Sequence, residues 1–183
     1  MIEIYELYIV GELLAGPKHG YLLHSILKAV LGPFRQISWG VLYPLMNKLV
    51  KAGMLQEMKD ETAAKGRRKR VFALTPEGRE RFLELMETPL EYNLETEITF
   101  KLKMMYFLHV PVSIRISCIQ QYLGYIQQIL DFQKANEQHV AQHPNIATDE
   151  KEQNQIYFNY CFHVMEAEKE WLLQEMDRLI SLK

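Results

Sequence analysis

The segment SWGVLYPLMNKLVKAGMLQEMKDETAAKGRRKRVFALTPE, residues 38–77, contains a helical pattern, two strand patterns and the start of a further helix. Ser38 is a suitable N-cap for the first of these elements, and Gly53 is suitably placed to end it. The apolar residues between them recur at helical spacing: Leu42, Leu45, Met46 and Leu49. The first part of the segment therefore predicts an amphipathic helix.

Two short extended segments follow this helix, at residues 54–58 and 70–74. The polar stretch between them leads into a cluster of five cations, the last of which opens the second segment: Lys65, Arg67, Arg68, Lys69 and Arg70. Thr75-Pro76-Glu77 then combines an N-cap hydroxyl, a proline at the first helical position and an acid in the first turn. The pattern predicts a two-stranded ribbon with a long basic tip, followed by a helix.

Two more helices are predicted upstream. Residues 2–15 show helical spacing, and Gly16-Pro17 ends that element. A second helix is expected to begin near Lys18 and to end before Gly32-Pro33. Helix, helix, helix, strand, strand, helix is the element order of a winged helix-turn-helix. We therefore expect a mainly α-helical fold with a small β-ribbon, in which this motif is the N-terminal domain.

Length and composition are those of an ordinary globular protein. The 183 residues are 48% hydrophobic and 24% charged, which excludes disordered, collagen-like and low-complexity chains. Cys118 and Cys161 are too few for a disulfide framework. The start, MIEIYE, is acidic where a signal peptide would be basic, and every apolar run is too short to span a bilayer. The expected location is the cytoplasm.

Charge is distributed unevenly along the chain. Residues 1–90 hold 13 basic and 10 acidic side chains, a net charge of +3, whereas residues 91–183 hold 8 and 13, a net charge of −5. This asymmetry indicates that only the first half meets a polyanion. We predict a DNA-binding domain at 1–90 and a helical dimerisation domain, which could also sense an effector, at 91–183.

The polar face of the helix after Ser38 carries side chains suited to a major groove. Asn47 can pair bidentately with adenine N6 and N7, and Lys48 can reach phosphate or guanine. Tyr43 and Ser38 suit phosphate oxygens, and Trp39 suits a thymine methyl, a sugar or packing against the ribbon. A basic ribbon tip would lie along the backbone or minor groove, although such a run can also be a solvated loop. The predicted DNA contacts are Ser38, Trp39, Gly40, Tyr43, Asn47, Lys48, Lys65, Arg67, Arg68, Lys69 and Arg70.

The second half predicts a helical hairpin. Apolar residues recur at alternating spacings of four and three over 112–140, which is typical of a helix–helix seam. His143-Pro144-Asn145 breaks this helix, and Asp149 with Glu152 can cap the last one. The predicted dimerisation residues are Ile116, Ile119, Leu123, Ile126, Leu130, Phe162, Met165, Trp171, Leu172 and Met176.

The last helix also has a second apolar face: Tyr157, Tyr160, Cys161, Val164 and Trp171. The hairpin can cover one face only, so we expect a second copy of the chain to cover the other. A homodimer would also place two reading helices on a symmetric DNA site.

Aromatic residues of the second half form a candidate effector pocket: Tyr106, Tyr122, Tyr157 and Tyr160. Such residues can equally be plain core or dimer interface. The sequence contains no Gly-rich phosphate loop, no Gly-x-Ser-x-Gly elbow and no His-Glu-x-x-His motif. We therefore expect no enzyme activity, no cofactor and no metal.

Several motifs resemble the PadR family of bacterial transcriptional regulators. They are LLAGPKHGY at 13–21, GPF at 32–34, ISWGVLYP at 37–44 and LTPEGR at 74–79. The segments FKLKMMYF and AEKEWL, beginning at Phe100 and Ala167, more loosely resemble the C-terminal domain of the longer subfamily. The chain departs from the family at Trp39, where members often carry Arg, Lys or a small polar residue.

The resemblance implies a homodimer that binds pseudo-palindromic operator DNA. It also implies a repressor that a small aromatic or xenobiotic effector releases. Two alternatives stay open. One is an activator that works with a partner regulator and binds no small molecule. The other is a winged-helix protein–protein adaptor with no DNA role.

Overall fold

The computed structural model describes residues 2–32, 38–58 and 70–181. Four of the predicted DNA contacts lie outside these residues: Lys65, Arg67, Arg68 and Lys69. The chain forms two compact units. The first comprises Met1–Pro89 and Asn93–Pro111, and the second comprises Leu90–Tyr92 and Val112–Lys183.

The first unit contains the winged helix-turn-helix. Its helices are α1 (Ile2–Glu12), α2 (Gly20–Leu31), α3 (Trp39–Lys51), α4 (Pro76–Glu87) and α5 (Thr96–Met105). Its strands are β1 (Lys18–His19), β2 (Leu55–Met58) and β3 (Val71–Leu74). Short 3₁₀ turns follow α1 and α5, at Leu13–Ala15 and Phe107–His109. The predicted helices, the two ribbon strands and the helix after Thr75 are confirmed.

The sheet differs from the predicted two-stranded ribbon. It has three antiparallel strands in the order β1-β3-β2, with Lys18 opposite Phe72 and His19 opposite Val71. The prediction that α2 begins near Lys18 is therefore wrong by two residues, because the backbone at Lys18 and His19 pairs with β3. A two-residue strand is too short to show a period, and its partner lies far along the chain.

Helix α3 packs as its sequence predicts. Its apolar stripe is buried throughout: Leu42, Leu45, Met46 and Leu49. Ser38 is the N-cap in an extended conformation, although its hydroxyl makes no capping bond within the described residues. At the other end Gly53 adopts φ +76°, and Met54 N donates to Leu49 O at 3.0 Å. The buried stripe leaves the opposite side of α3 exposed.

Helix α1 lies at the centre of the first unit and packs against α2, α3, α4 and α5. Because neighbours surround it, its residues Tyr8, Ile9 and Val10 are completely buried. Glu6 is also buried, and its Oε1 accepts a hydrogen bond of 2.6 Å from Arg81 Nε on α4. This pair satisfies a carboxylate that would otherwise be costly to bury.

Helix α5 belongs to the first unit, which places residues 93–111 on the other side of the boundary predicted at residue 90. The Tyr106 hydroxyl lies 3.3 Å from both Tyr8 O and Glu12 Oε1. The buried Lys103 ammonium donates to Met86 O and Thr88 O at the end of α4. Because these contacts join residues that are distant in sequence, no periodic pattern in the sequence predicts them. As assignments of function, the two domains at 1–90 and 91–183 stay predictions.

The second unit is a helical hairpin of α6 (Val112–Gln142) and α7 (Thr148–Ile180), which pack against each other. The helix predicted over 112–140 is confirmed. The predicted cap of the last helix is wrong, because α7 begins at Thr148 with Ala147 as N-cap. Asp149 lies inside the first turn, where its Oδ1 accepts a bond from Glu150 N at 3.0 Å. Within the three described ranges, no helix is long and apolar enough to cross a membrane.

Gly78 is required by the packing between α4 and the end of α3. A Cβ at this position would lie 2.2 Å from Met54 O, a backbone atom. We expect Gly78→Ala to lower the free energy of unfolding by about 1–3 kcal/mol through overpacking. Gly40→Ala is the matched control, because its nearest neighbour is Ser38 Oγ at 3.5 Å and alanine favours a helix interior by about 0.5–1 kcal/mol. Urea unfolding followed by far-UV circular dichroism measures both, and equal unfolding midpoints would contradict this account.

Candidate nucleic-acid interface

The exposed side of α3 carries every helical residue predicted to contact DNA. Trp39, Tyr43 and Asn47 follow one another at intervals of four residues and therefore share a face. Tyr43 is half-buried, whereas the others are exposed: Ser38, Trp39, Gly40, Asn47 and Lys48. The buried stripe of α3 thus presents these groups outward on a rigid helix.

An aromatic stack holds Trp39 against α2. The indole lies over the His24 ring with centroids 3.9 Å apart and an interplanar angle of 16°. The ring centroids of Tyr21 and Tyr43 lie 6.3 and 5.1 Å from that of the indole. Trp39 is 37% exposed, so part of the indole remains accessible. The sequence did not indicate His24, because its partner lies on another helix.

A second network joins α3 to the base of the ribbon. Arg70 Nε and Nη2 donate to the two carboxylate oxygens of Glu57, at 2.8 and 2.7 Å. Nη2 also donates to Asn47 Oδ1 at 2.8 Å. The hydrogen bond from Arg70 lowers the pKa of Glu57 and raises that of Arg70, so both groups are charged at neutral pH. The guanidinium lies over Phe72, 5.1 Å from the ring centroid.

Arg70 therefore has a different environment from the one expected of a free basic residue in the ribbon. Its Nε and Nη2 donors are engaged by Glu57 on β2 and by Asn47 on α3. The sequence could not show this, because 13 and 23 residues separate Arg70 from these partners. A phosphate contact of Arg70 stays a prediction.

The four tyrosines of the predicted effector pocket are distributed over both units. Tyr106 is buried in the first unit, where burial and the charge of Glu12 raise the pKa of its hydroxyl. In the second unit Tyr122 is buried and donates to Glu168 Oε1 at 3.1 Å, whereas Tyr157 and Tyr160 are exposed on α7. Neither unit by itself brings the four together, and the pocket stays a prediction.

The predicted dimerisation residues also fall into distinct groups. Five are buried in the single chain: Ile116, Ile119, Ile126, Leu130 and Leu172. Four are half-buried: Leu123, Phe162, Met165 and Met176. Trp171 is 51% exposed. Because α6 packs on α7 within one chain, most of the predicted dimerisation residues are already covered without a second copy. The apolar face of α7 that remains exposed is the one that contains Trp171.

Residues 7–84 match the family model described as the Transcriptional regulator PadR-like family. The chain carries a PadR-like domain. The match begins in α1 and ends in α4, so the exposed face of α3 and the Arg70 network lie inside it. The match covers less than half of the chain, and the family that it describes is one of transcriptional regulators.

Solved structures similar to this chain include Bacillus subtilis PadR in complex with operator DNA. The identity is 20%, the match covers 95% of this chain and 98% of that chain, and the TM-score is 0.44. A PadR-like regulator from Bacillus cereus is 19% identical over 98% of this chain and 99% of that chain, with a TM-score of 0.40. No match was found among curated proteins.

The two tryptophans of the chain provide a test of which surface meets DNA. Trp39 lies on the candidate interface of the PadR-like domain, and Trp171 lies on α7. We expect duplex DNA at low salt to change the emission of the Trp171→Phe variant, which retains Trp39. The emission of Trp39→Phe should stay constant, because its remaining indole belongs to the second unit and not to the candidate interface. A fluorescence titration measures both, and a response confined to Trp39→Phe would assign the DNA surface to the other unit.

Proposed function

We propose that this protein is a homodimeric repressor that binds a pseudo-palindromic operator. The observation that carries the proposal is the exposed side of α3, which presents Trp39, Tyr43, Asn47 and Lys48 within the PadR-like domain. A helix of this kind enters the major groove, which is wide enough to admit it. The proposed roles are phosphate contact for Tyr43 and Ser38, and base contact for Asn47.

The segment between β2 and β3 supplies the electrostatic part of the proposed binding. Its sequence contains Lys65, Arg67, Arg68 and Lys69, a high density of cations for so short a segment. Each phosphate that such residues neutralise releases a counterion, which makes affinity depend steeply on salt. This part of the binding does not depend on the DNA sequence, so it adds affinity while α3 selects the site.

The proposed dimer uses the exposed face of α7. Tyr157, Tyr160, Val164 and Trp171 are spaced by three, four and seven residues and lie on one side of the helix. Their exposed fractions are 53, 67, 46 and 51%. Large aromatic side chains contribute strongly to interface energy when a partner covers them. A homodimer would offer two α3 helices to one symmetric DNA site, whose half-sites lie one helical turn, about 34 Å, apart.

We further propose that a small aromatic or xenobiotic effector relieves repression, which follows from the family resemblance and from the aromatic side chains of the second unit. Tyr122 and Tyr125 stack there with centroids 5.6 Å apart. An effector must bind the DNA-free form more tightly than the DNA-bound form to act in this way. A panel of phenolic acids in thermal unfolding, repeated in an operator-binding assay, tests this. An activator without a ligand would show neither a thermal shift nor release from DNA.

We expect the purified protein to bind a duplex from its own upstream region more tightly than a scrambled duplex, with a steep salt dependence. Fluorescence anisotropy over a series of salt concentrations measures this. Arg68→Glu should weaken binding about tenfold or more, since it replaces attraction to phosphate by repulsion. Lys134→Glu on α6 makes the same charge change on an exposed residue of the second unit and should leave affinity unchanged. If neither duplex binds and Arg68→Glu has no effect, the adaptor alternative is favoured.

The proposed dimer predicts that Tyr160→Glu converts the protein to a monomer, because it buries a carboxylate in an apolar interface. Asn159→Glu is the matched control. It adds the same charge one residue away, about 100° around α7, where the side chain is exposed. Light scattering coupled to size-exclusion chromatography measures the mass of each variant. A dimeric Tyr160→Glu, or a monomeric Asn159→Glu, would place the interface elsewhere.

A further inference from the structure

We propose that Arg70 is a positioning residue that orients Asn47 as a hydrogen-bond donor toward DNA, so that α3 reads guanine at the base pair facing Asn47. This inference rests on the proposed DNA-binding function. A guanine contact of Asn47 would replace the adenine contact that the residue type alone predicts.

Arg70 is held in place from several directions. Nε and one hydrogen of Nη2 pair with the Glu57 carboxylate in a bidentate arrangement, at 2.8 and 2.7 Å. The second hydrogen of Nη2 points to Asn47 Oδ1 at 2.8 Å. The rings of Phe72 and Tyr43 lie under the guanidinium, with centroids 5.1 and 6.0 Å from Cζ. These contacts leave the guanidinium little freedom to move toward a phosphate.

The network determines which way the Asn47 amide points. Its oxygen accepts a hydrogen bond from a cation, and a flipped amide would place the Nδ2 hydrogens against the guanidinium hydrogens. The amide therefore keeps Oδ1 toward Arg70 and leaves Nδ2 directed elsewhere. Nδ2 has no hydrogen-bond partner within residues 2–32, 38–58 and 70–181, and Asn47 is exposed. Asn47 thus offers donors to a ligand on the α3 face.

The base that suits such a group carries acceptors. In the major groove guanine presents two acceptors, N7 and O6, whereas adenine presents the acceptor N7 beside the N6 amino donor. A bidentate contact to adenine needs Oδ1 to accept from N6, and here the bond from the Arg70 cation leaves Oδ1 only its second lone pair. The guanidinium charge also repels the adenine amino hydrogens and attracts guanine O6. The arrangement of donors therefore favours guanine.

A positioning role differs measurably from a phosphate contact. A cation that neutralises a phosphate makes the negative slope of log K against log salt steeper by about 0.9. Arg70 already pairs with Glu57, whose exposed carboxylate would repel a phosphate. Loss of Arg70 should therefore change base preference and leave the salt slope unchanged. A purely structural role would lower binding to every sequence equally.

The experiment is selection from a pool of randomised duplexes with the full-length protein, followed by sequencing and by salt titrations on the selected site. The wild type should enrich guanine at one position in each half-site, and Asn47→Ala should abolish that preference only. Arg70→Gln should reduce the preference for guanine over adenine at the same position by about tenfold. In the Asn47→Ala background, Arg70→Gln should have no further effect there, since the two residues act as one unit.

Lys48→Gln is the comparison variant, because it removes one cation from the same face of α3 without touching the network. It should lower the salt slope and preserve the guanine preference. Arg70→Lys, which keeps the charge without the planar fork, should behave like Arg70→Gln.

Adenine at the Asn47-dependent position of the wild type would overturn the inference. A guanine preference that survives Arg70→Gln while the salt slope falls would also overturn it. Failure of the proposed function has a different signature, since the wild type would then bind no duplex and enrich no sequence. That result would overturn both proposals together.

Discussion

The burial of α1 constrains most of the first unit. This helix is apolar on every side, and four other helices are required to remove it from water. Its one buried carboxylate, that of Glu6, is acceptable only because Arg81 on α4 donates to it. The same helix supplies the acceptors for the Tyr106 hydroxyl that follows α5. The positions of the helices that pack on α1, including α3 with its candidate site, therefore follow from the need to bury α1.

The exposed side of α3 depends directly on this core. Leu42, Met46 and Leu49 direct one side of the helix inward, so the side chains four residues apart on the other side point to solvent. Two networks then limit how those side chains can move. Stacking on His24 orders Trp39, and hydrogen bonding to Arg70 orders Asn47. A site that is ordered before binding loses less conformational entropy when it meets its ligand.

The second unit shows that an apolar sequence pattern does not identify the partner it packs against. Alternating spacings of four and three over α6 indicate a seam, and the seam is formed with α7 of the same chain. The apolar face left over on α7 is the better candidate for contact with a second copy, because its aromatic residues are half or more exposed in a single chain. Periodicity identifies an apolar face. It carries no information about whether the partner is the same chain or another.

Local regularities explain what was predictable from the amino-acid order: the helices, the two longer strands, the cap at Thr75 and the exposed residues of α3. Each depends on neighbours within a few positions, where period and turn chemistry act. Strand β1, the packing of α5 on α1, the His24–Trp39 stack and the Glu57–Arg70–Asn47 network were not predictable in this way. They join residues that are distant in sequence, and their geometry exists only once the core has packed. Composition and spacing therefore indicate a winged-helix fold with a basic ribbon, whereas the donor pattern that Asn47 presents on the exposed side of α3 arises from the folded arrangement of α3 and the ribbon.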